Sequence, residues 1–503
     1  MVSSSPPGGQ REFARRGLFA LGAATAGVVP AEVGAEDAPG RERSASGPIW
    51  TGAFDSTLVY GHTERHSVKR GERLNIMLAL SPGRLPVRVK VVFNRVGAYQ
   101  WGRKAVWTSD TLTLTERPVQ STAAAVGTGW TPSLSVETGG WPEGCYSVDV
   151  IVEGAAEPEY NVLQTIVRPL RAGGALLMKL STNTWQAYNP WGGHSLYDLE
   201  GDDSRRGVIV SFDRPTPPSL FEYEAWLVRW LEAFAERGGH RLDYASNFDV
   251  HDEPGLLNDY KLVVCGSHDE YWSKDEFDAF EHRVFARGGN TIFCGANTGY
   301  FQVRYTDIDN APGAPPRGRQ IVCHKSMDDP VTRRAGPQEP ILLATARFRD
   351  AARRPETMLM GSGYQSWFSP TANGSPRYAY RVARDDLPFF QGTGLATGDV
   401  IADVVGYEWD NRDPARDNTR LFRPGVSRIA ALPSERIMVL LTGTPVAFDG
   451  KEGLAEAVYF RSPAGGKVFN AGSVRWAWGF GRPGFETEAF RVFNANLFTD
   501  FLN

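Results

Sequence analysis

The segment Ser267-His-Asp-Glu-Tyr-Trp-Ser273 carries four ionisable side chains in succession: His268, Asp269, Glu270 and Tyr271. A second segment, Gly295-Ala-Asn-Thr-Gly-Tyr-Phe-Gln-Val-Arg304, adds Asn297, Tyr300 and Arg304. Imidazole, carboxylate and phenol at this density suit a metal site or an acid–base site better than a structural loop. His268, Glu270 and Asn297 are the catalytic candidates. Each taken alone has a plainer reading as a helix cap, a surface charge or a hydrogen-bond partner. Asp269 or Glu270 near a helix start would simply favour its dipole. Cys265 with His268 offers a thiol nucleophile, but a strand end lacks the sharp turn that exposes such a group. No Gly-x-Ser-x-Gly elbow, His-Glu-x-x-His or Cys-x-x-Cys motif and no Walker loop occurs.

Ligands of open parallel sheets bind outside the carboxyl ends of the strands. Both segments directly follow predicted strands, at 260–265 and 290–294. Another strand is read at 241–245, and a first one begins at Leu176. Between them the spacing predicts two helices. One opens on the capping box Ser219-Leu-Phe-Glu222 and ends at Gly238-Gly239; the other opens on Ser273-Lys-Asp-Glu276 and ends at Gly288-Gly289. The stripe Trp226, Leu227, Trp230, Leu231 and Phe234 has helical spacing and is read as core. Strand–helix–strand units this short imply right-handed crossovers and a parallel sheet, which sets the two loops side by side. The stretch from Trp185 to Gly193 follows the first strand at the same rim. Its Trp185, Tyr188, Asn189 and Trp191 either wall a pocket or pack locally around an ordered turn. Residues 315–480 are richer in strand and turn signals and are expected to decorate the sheet. An amphipathic helix from Phe485 to Phe501 closes the chain.

Residues 49–170 read differently. Short alternating runs at 74–80, 87–93 and 145–152, punctuated by Pro82-Gly83 and the Gly139–Gly144 cluster, suggest an Ig-like β-sandwich. The expected fold class is therefore α/β, with a parallel-sheet domain at 171–503 preceded by a β-sandwich at 49–170.

At 503 residues the chain is too long for one ordinary core. A hydrophobic fraction of 42% with 22% charged residues is globular. A formal net charge of −4 provides no positive field to hold nucleic acid or an anionic membrane. Residues 1–35 read as a signal peptide. Arg15-Arg16 precede a small, weakly apolar run, and Val33-Gly34-Ala35 offers a cleavage site, which is the layout of twin-arginine export. That run is too short to span a bilayer. Residues 36–48 are a polar linker, and the mature protein is expected in the periplasm or outside the cell. Four cysteines are too few for a disulfide scaffold. Cys265 and Cys294, at neighbouring strand ends, either pair or remain buried thiols.

The two loop segments, the second taken from Gly288, resemble the N,N-dimethylformamidase large-subunit family. Thr184-Trp-Gln-Ala-Tyr-Asn-Pro-Trp-Gly-Gly193, Gly406-Tyr-Glu408 and Phe469-Asn-Ala-Gly-Ser-Val-Arg-Trp-Ala-Trp478 extend the likeness across residues 175–480. The resemblance implies a core similar to class I glutamine amidotransferase folds and hydrolysis of a small amide. It also implies one ferric iron per chain, held by Tyr271, Tyr300 and Glu408. Phenolate and carboxylate are hard donors suited to that ion, which acidifies bound water and polarises a carbonyl. His268 would then shuttle protons or orient a ligand, and Asn297 would hydrogen-bond the substrate. Trp185, Tyr188, Asn189 and Trp191 would face a largely apolar amide. A reading from another class is a non-catalytic cell-envelope binding protein that keeps the fold without the metal. The family's small partner subunit is not visible in this sequence, and a homo-oligomer is compatible with it.

Overall fold

The computed structural model describes residues 58–100, 102–197, 206–216, 221–307, 317–333, 342–351, 354–368, 376–412 and 436–503. The expected signal peptide, the linker and the start of the box at Ser219 lie outside the described residues.

Alternation with a period of two organises the first third of the described chain. Val59–Thr63, Arg73–Leu80 and Leu134–Glu137 form a three-stranded antiparallel sheet. A second sheet runs Val68–Lys69, Glu159–Arg168, Gly144–Val152, Val87–Val96 and Arg103–Thr108, with Leu112–Leu114 also paired to Val87–Val96. Leu74, Ile76 and Leu78 of one sheet share a buried cluster with Val91, Phe93 and Val148 of the other. The three strands expected at 74–80, 87–93 and 145–152 are all present.

The larger sheet has nine strands. Leu242–Ala245, Gly174–Lys179, Tyr260–Cys265, Asn290–Phe293 and Lys467–Asn470 are parallel neighbours in that order. Ala455–Arg461, Met438–Gly443, Tyr378–Val382 and Val400–Val405 continue it as antiparallel strands. The C-terminal β region therefore does not decorate the sheet but completes it. Its strand Lys467–Asn470 is only four residues long and is entered from an antiparallel neighbour rather than a crossover helix, so no βαβ signal announces it.

Helices cover both faces, as the strand pattern requires. Leu176 and Met178 face a core shared with the helices Glu222–Gly238 and Glu488–Leu502, whereas Leu177 points to the opposite core with Phe277 and Phe280. Glu222–Gly238 stops at Gly239, whose φ of 63° is the left-handed cap that glycine supplies. At Lys274–Glu281 the Ser273 hydroxyl accepts the Glu276 N–H at 3.1 Å. The return half of that box is not made, because the Glu276 carboxylate is diverted to Lys179 and Asn247. The molecule is thus a mixed α/β protein with several mixed sheets. No helix of the described residues is long and apolar enough to cross a membrane.

Candidate functional site

The loops that follow Cys265 and Phe293 are joined along their length. Tyr271–Ser273 pairs in parallel with Phe301–Thr306, and the Gly299 and Tyr300 N–H groups donate to the Asp269 and Glu270 carbonyls at 2.8 and 2.9 Å. A β carbon on Gly295 would lie 1.8 Å from the Ser267 carbonyl oxygen, so glycine is what lets the two backbones touch.

This contact gathers the ionisable groups. The His268 Nε2 lies 3.1 Å from Glu408 Oε2 and 3.5 Å from Glu270 Oε2, and Nδ1 lies 3.2 Å from the Tyr407 hydroxyl. Tyr188 and Tyr197 donate to the two Glu270 oxygens at 2.7 and 2.6 Å. Asn297 donates from Nδ2 to Glu408 Oε2 at 2.8 Å, and its backbone N–H reaches Asp410 Oδ1 at 2.8 Å. Glu270 and Glu408 are both fully buried. Burial alone would lower the His268 pKa, but Glu408 and Glu270 hold it up at about 9. Burial, reinforced by Glu270, pushes the Tyr271 phenol well above its ordinary range. No hydrogen bond of normal geometry reaches the buried Tyr271 hydroxyl, although Tyr197 is near enough to influence it. The Lys325 ammonium sits 3.3 Å from the centroid of the Tyr197 ring and 4.6 Å from that of Phe301, a cation held on aromatic faces.

Behind this cluster two buried groups position the loops. Lys179, at the end of the strand Gly174–Lys179, bridges the Asp269 and Glu276 carboxylates, and all three side chains are fully buried. Its ammonium also lies 4.3 Å from the Trp272 ring centroid. Burial alone would depress the Lys179 pKa, but Asp269 and Glu276 raise it above the ordinary lysine range. Glu224 accepts the Ser181 N–H and the Trp185 indole N–H, both at 2.8 Å. Burial pushes its carboxyl up to about 7. Because an unfolded glutamate titrates near 4.3, the folded protein holds this proton to higher pH, and stability falls as pH rises from about 4.3 to 7. Between pH 5 and pH 8 the wild type is expected to lose about 3 kcal/mol relative to Glu224→Gln. Melting curves of both proteins at the two pH values check this.

Of Trp185, Tyr188, Asn189 and Trp191, it is Tyr188 that reaches the cluster through a hydrogen bond. They belong to a short helix, Thr182–Tyr188, and the turn after it. Trp185 is tied to Glu224. Asn189 orders the turn, donating to the Pro215 carbonyl at 2.7 Å and accepting from the Trp191 N–H at 3.0 Å. Trp191 packs edge-on to Tyr60 and Trp130. Tyr300 shares a buried cluster with Tyr271 and Phe301, and its ring lies under the Arg349 guanidinium at 5.1 Å. Tyr260, a tyrosine near in sequence, donates to Asp243 at 2.8 Å from the other end of its strand. All four cysteines are free and buried. Burial drives the Cys265 thiol well above its ordinary range, which opposes a thiolate there. Sequence reasoning missed Tyr197 and Lys325, which stand in no dense motif, and gave no role to Tyr407, although it lies in the motif Gly406-Tyr-Glu408.

Among the described residues no group of three or more His, Cys, Asp and Glu side chains is arranged to hold a metal ion. The orphaned Tyr271 hydroxyl and the buried Glu408 carboxylate fit such a role, and Tyr300 lies in the same aromatic cluster.

A mixed α/β fold with carboxylates, imidazole and phenols converging beyond the carboxyl ends of parallel strands defines the class: a protein built around one buried polar site. The chain belongs to the N,N-dimethylformamidase beta subunit-like, C-terminal family, whose sequence model matches residues 90–488. The match takes in the nine-stranded sheet and most of the second β-sheet, whose strand Val68–Lys69 lies before it. No curated protein matches the chain. Membership in a family named for dimethylformamidase points to amide hydrolysis.

Proposed function

We propose that this chain is an exported, iron-dependent hydrolase of a small linear amide. The observation that carries the reading is the convergence of Glu270 and Glu408 on His268 beside the orphaned Tyr271 hydroxyl. Tyr271, Tyr300 and Glu408 would hold the iron. When bound, the ion supplies Lewis acidity toward the amide carbonyl and toward water.

The protein's own residues divide the remaining work. Glu270 is held as a carboxylate acceptor by Tyr188 and Tyr197, and so is placed to take a proton from attacking water. His268 bridges the two carboxylates and hands a proton to the leaving nitrogen. Tyr407 fixes the ring through Nδ1. Asn297 keeps Nδ2 on Glu408, which leaves its buried Oδ1, without a hydrogen-bond partner, to accept an N–H from the substrate. The Lys325 charge lies on the face of Tyr197, the phenol that donates to Glu270.

The same reading takes the two facing β-sheets as an Ig-like sandwich over 49–170 and the nine-stranded core over 171–503 as glutamine amidotransferase-like. It takes Arg15-Arg16 and the run after them as a signal that delivers the folded protein to the periplasm or beyond. The test is amine release from primary, N-alkyl and N,N-dialkyl amides of small acids, using protein purified after export. Turnover that prefers an N–H-bearing amide supports the assignment. Absence of turnover across the panel by iron-loaded protein would overturn it and leave a binding protein of the same fold.

A further inference from the structure

A cavity of about 60 Å³, lined by both polar and apolar groups, lies where the first β-sheets meet the nine-stranded layer. It has room for about four water molecules or one very small organic ligand. Apolar walls come from Leu163, Ile166, Leu180 and Phe212. Three lining side chains carry buried polar atoms with no hydrogen-bond partner: Arg319 Nη1, Thr165 Oγ1 and His66 Nδ1. Arg319 and Thr165 are 4% and 3% exposed, so bulk water does not satisfy them. Buried polar groups in native proteins are almost always paired, and three orphans around one cavity point to a ligand.

Their hydrogen-bonding senses specify it. The other edges of Arg319 are used, with Nε on Asp213 Oδ1 at 3.0 Å and Nη2 on the Thr63 carbonyl at 2.8 Å. Its free N–H is thus a donor whose charge Asp213 already balances. His66 Nε2 meets the Gly318 carbonyl at 2.8 Å, which places the proton of the neutral ring there and leaves Nδ1 as an acceptor. Burial, with Arg319 adding to it, drives the His66 pKa well below its ordinary value, in keeping with a neutral ring. Thr165 serves in either sense. A ligand complementary to this set presents an acceptor oxygen and an N–H donor within one small neutral body.

We propose that this cavity binds a small neutral amide bearing an N–H, its carbonyl oxygen on Arg319 and Thr165 and its N–H on His66, at a site separate from the Glu270–Glu408 cluster. An anion is disfavoured, because His66 offers it a lone pair and Arg319 is already paired with Asp213. The cavity also touches Trp185 and Gln186, on the helix that carries Tyr188 to Glu270.

Fluorine NMR of trifluoroacetamide, with trifluoroacetate as the charged isostere, tests the proposal on the full exported chain. In a Glu408→Gln background, which impairs the other site, the amide resonance is expected to broaden saturably while the acetate resonance does not. Thr165→Val, a near-isosteric change that removes an orphaned hydroxyl, should weaken binding about fivefold, as for one lost hydrogen bond. Arg319→Gln should abolish it. Since Arg319 also anchors Asp213 and Thr63, the Thr165 variant decides if the Arg319 variant fails to fold. Equal binding of trifluoroacetate, no saturable binding, or amide binding unchanged by Thr165→Val would each overturn the proposal. Turnover in the amide panel is independent of all three.

Discussion

Lys179→Met is expected to destabilise the protein by about 3–5 kcal/mol, the usual cost of stranding buried charge. Lys179 is the cation between Asp269 and Glu276, and none of the three side chains reaches solvent. Methionine fills much of the lysine volume, so packing changes little and the loss is chiefly electrostatic. Burial already pushes Glu276 up to about 7, with Lys179 opposing that shift and Asp269 adding to it. Without the lysine, proton uptake between the two carboxylates becomes more favourable. The deficit should therefore be smaller at pH 5 than at pH 8. Adding Glu276→Gln should recover part of the loss, and the double-mutant cycle isolates the coupling. Chemical denaturation of the single and double variants measures it. A change within about 0.5 kcal/mol, typical of surface substitutions, would mean the bridge contributes nothing.

His268→Gln is expected to reduce kcat for amide hydrolysis by about a hundredfold to ten-thousandfold, the span of a positioned acid–base group. The fold should be kept, with a lowered melting temperature, because the imidazolium between two buried carboxylates is lost. The imidazole touches both Glu270 and Glu408 and is 7% exposed, which places it to carry a proton between the carboxylates and a bound substrate. Glutamine keeps one donor for a carboxylate but cannot exchange a proton. Tyr407→Phe should cost only about tenfold, because that hydroxyl orients the ring without carrying the proton. A His268→Gln enzyme with wild-type kcat would remove His268 from the chemistry. Steady-state kinetics on the best amide of the panel, with kcat and KM separated, decides between these outcomes.

Local signals carried much of this architecture, and long-range pairing hid the rest. The strands at Tyr260–Cys265 and Asn290–Phe293 and the loops after them are read from apolar runs that end in glycine, and the parallel rule places those loops together. His268, Glu270 and Asn297 were legible because they crowd two short segments. Glu408 was legible only through family likeness, since it reaches the cluster from the short strand Glu408–Asn411, far along the chain. Tyr197 and Lys325 were not legible: each arrives from a segment without periodicity, and only the fold sets them against Glu270 and the aromatic faces. The aromatic run after the first strand shows the limit of composition. Three aromatic residues and Asn189 were candidates for one pocket, but the short helix Thr182–Tyr188 sends Tyr188 to Glu270 and Trp185 to Glu224. The box at Ser273 is a comparable case, in which the pattern is right but the glutamate is captured by Lys179, a partner 97 residues away.

The central claim is tested most directly by elemental analysis and visible absorption of the exported protein, beside its Tyr271→Phe variant. About one iron per chain with a broad visible band from phenolate-to-iron charge transfer is predicted. Both should be lost or strongly reduced in Tyr271→Phe, while the fold is kept. A folded wild-type protein that carries no metal, acquires none on incubation with iron and shows no visible band would contradict the account.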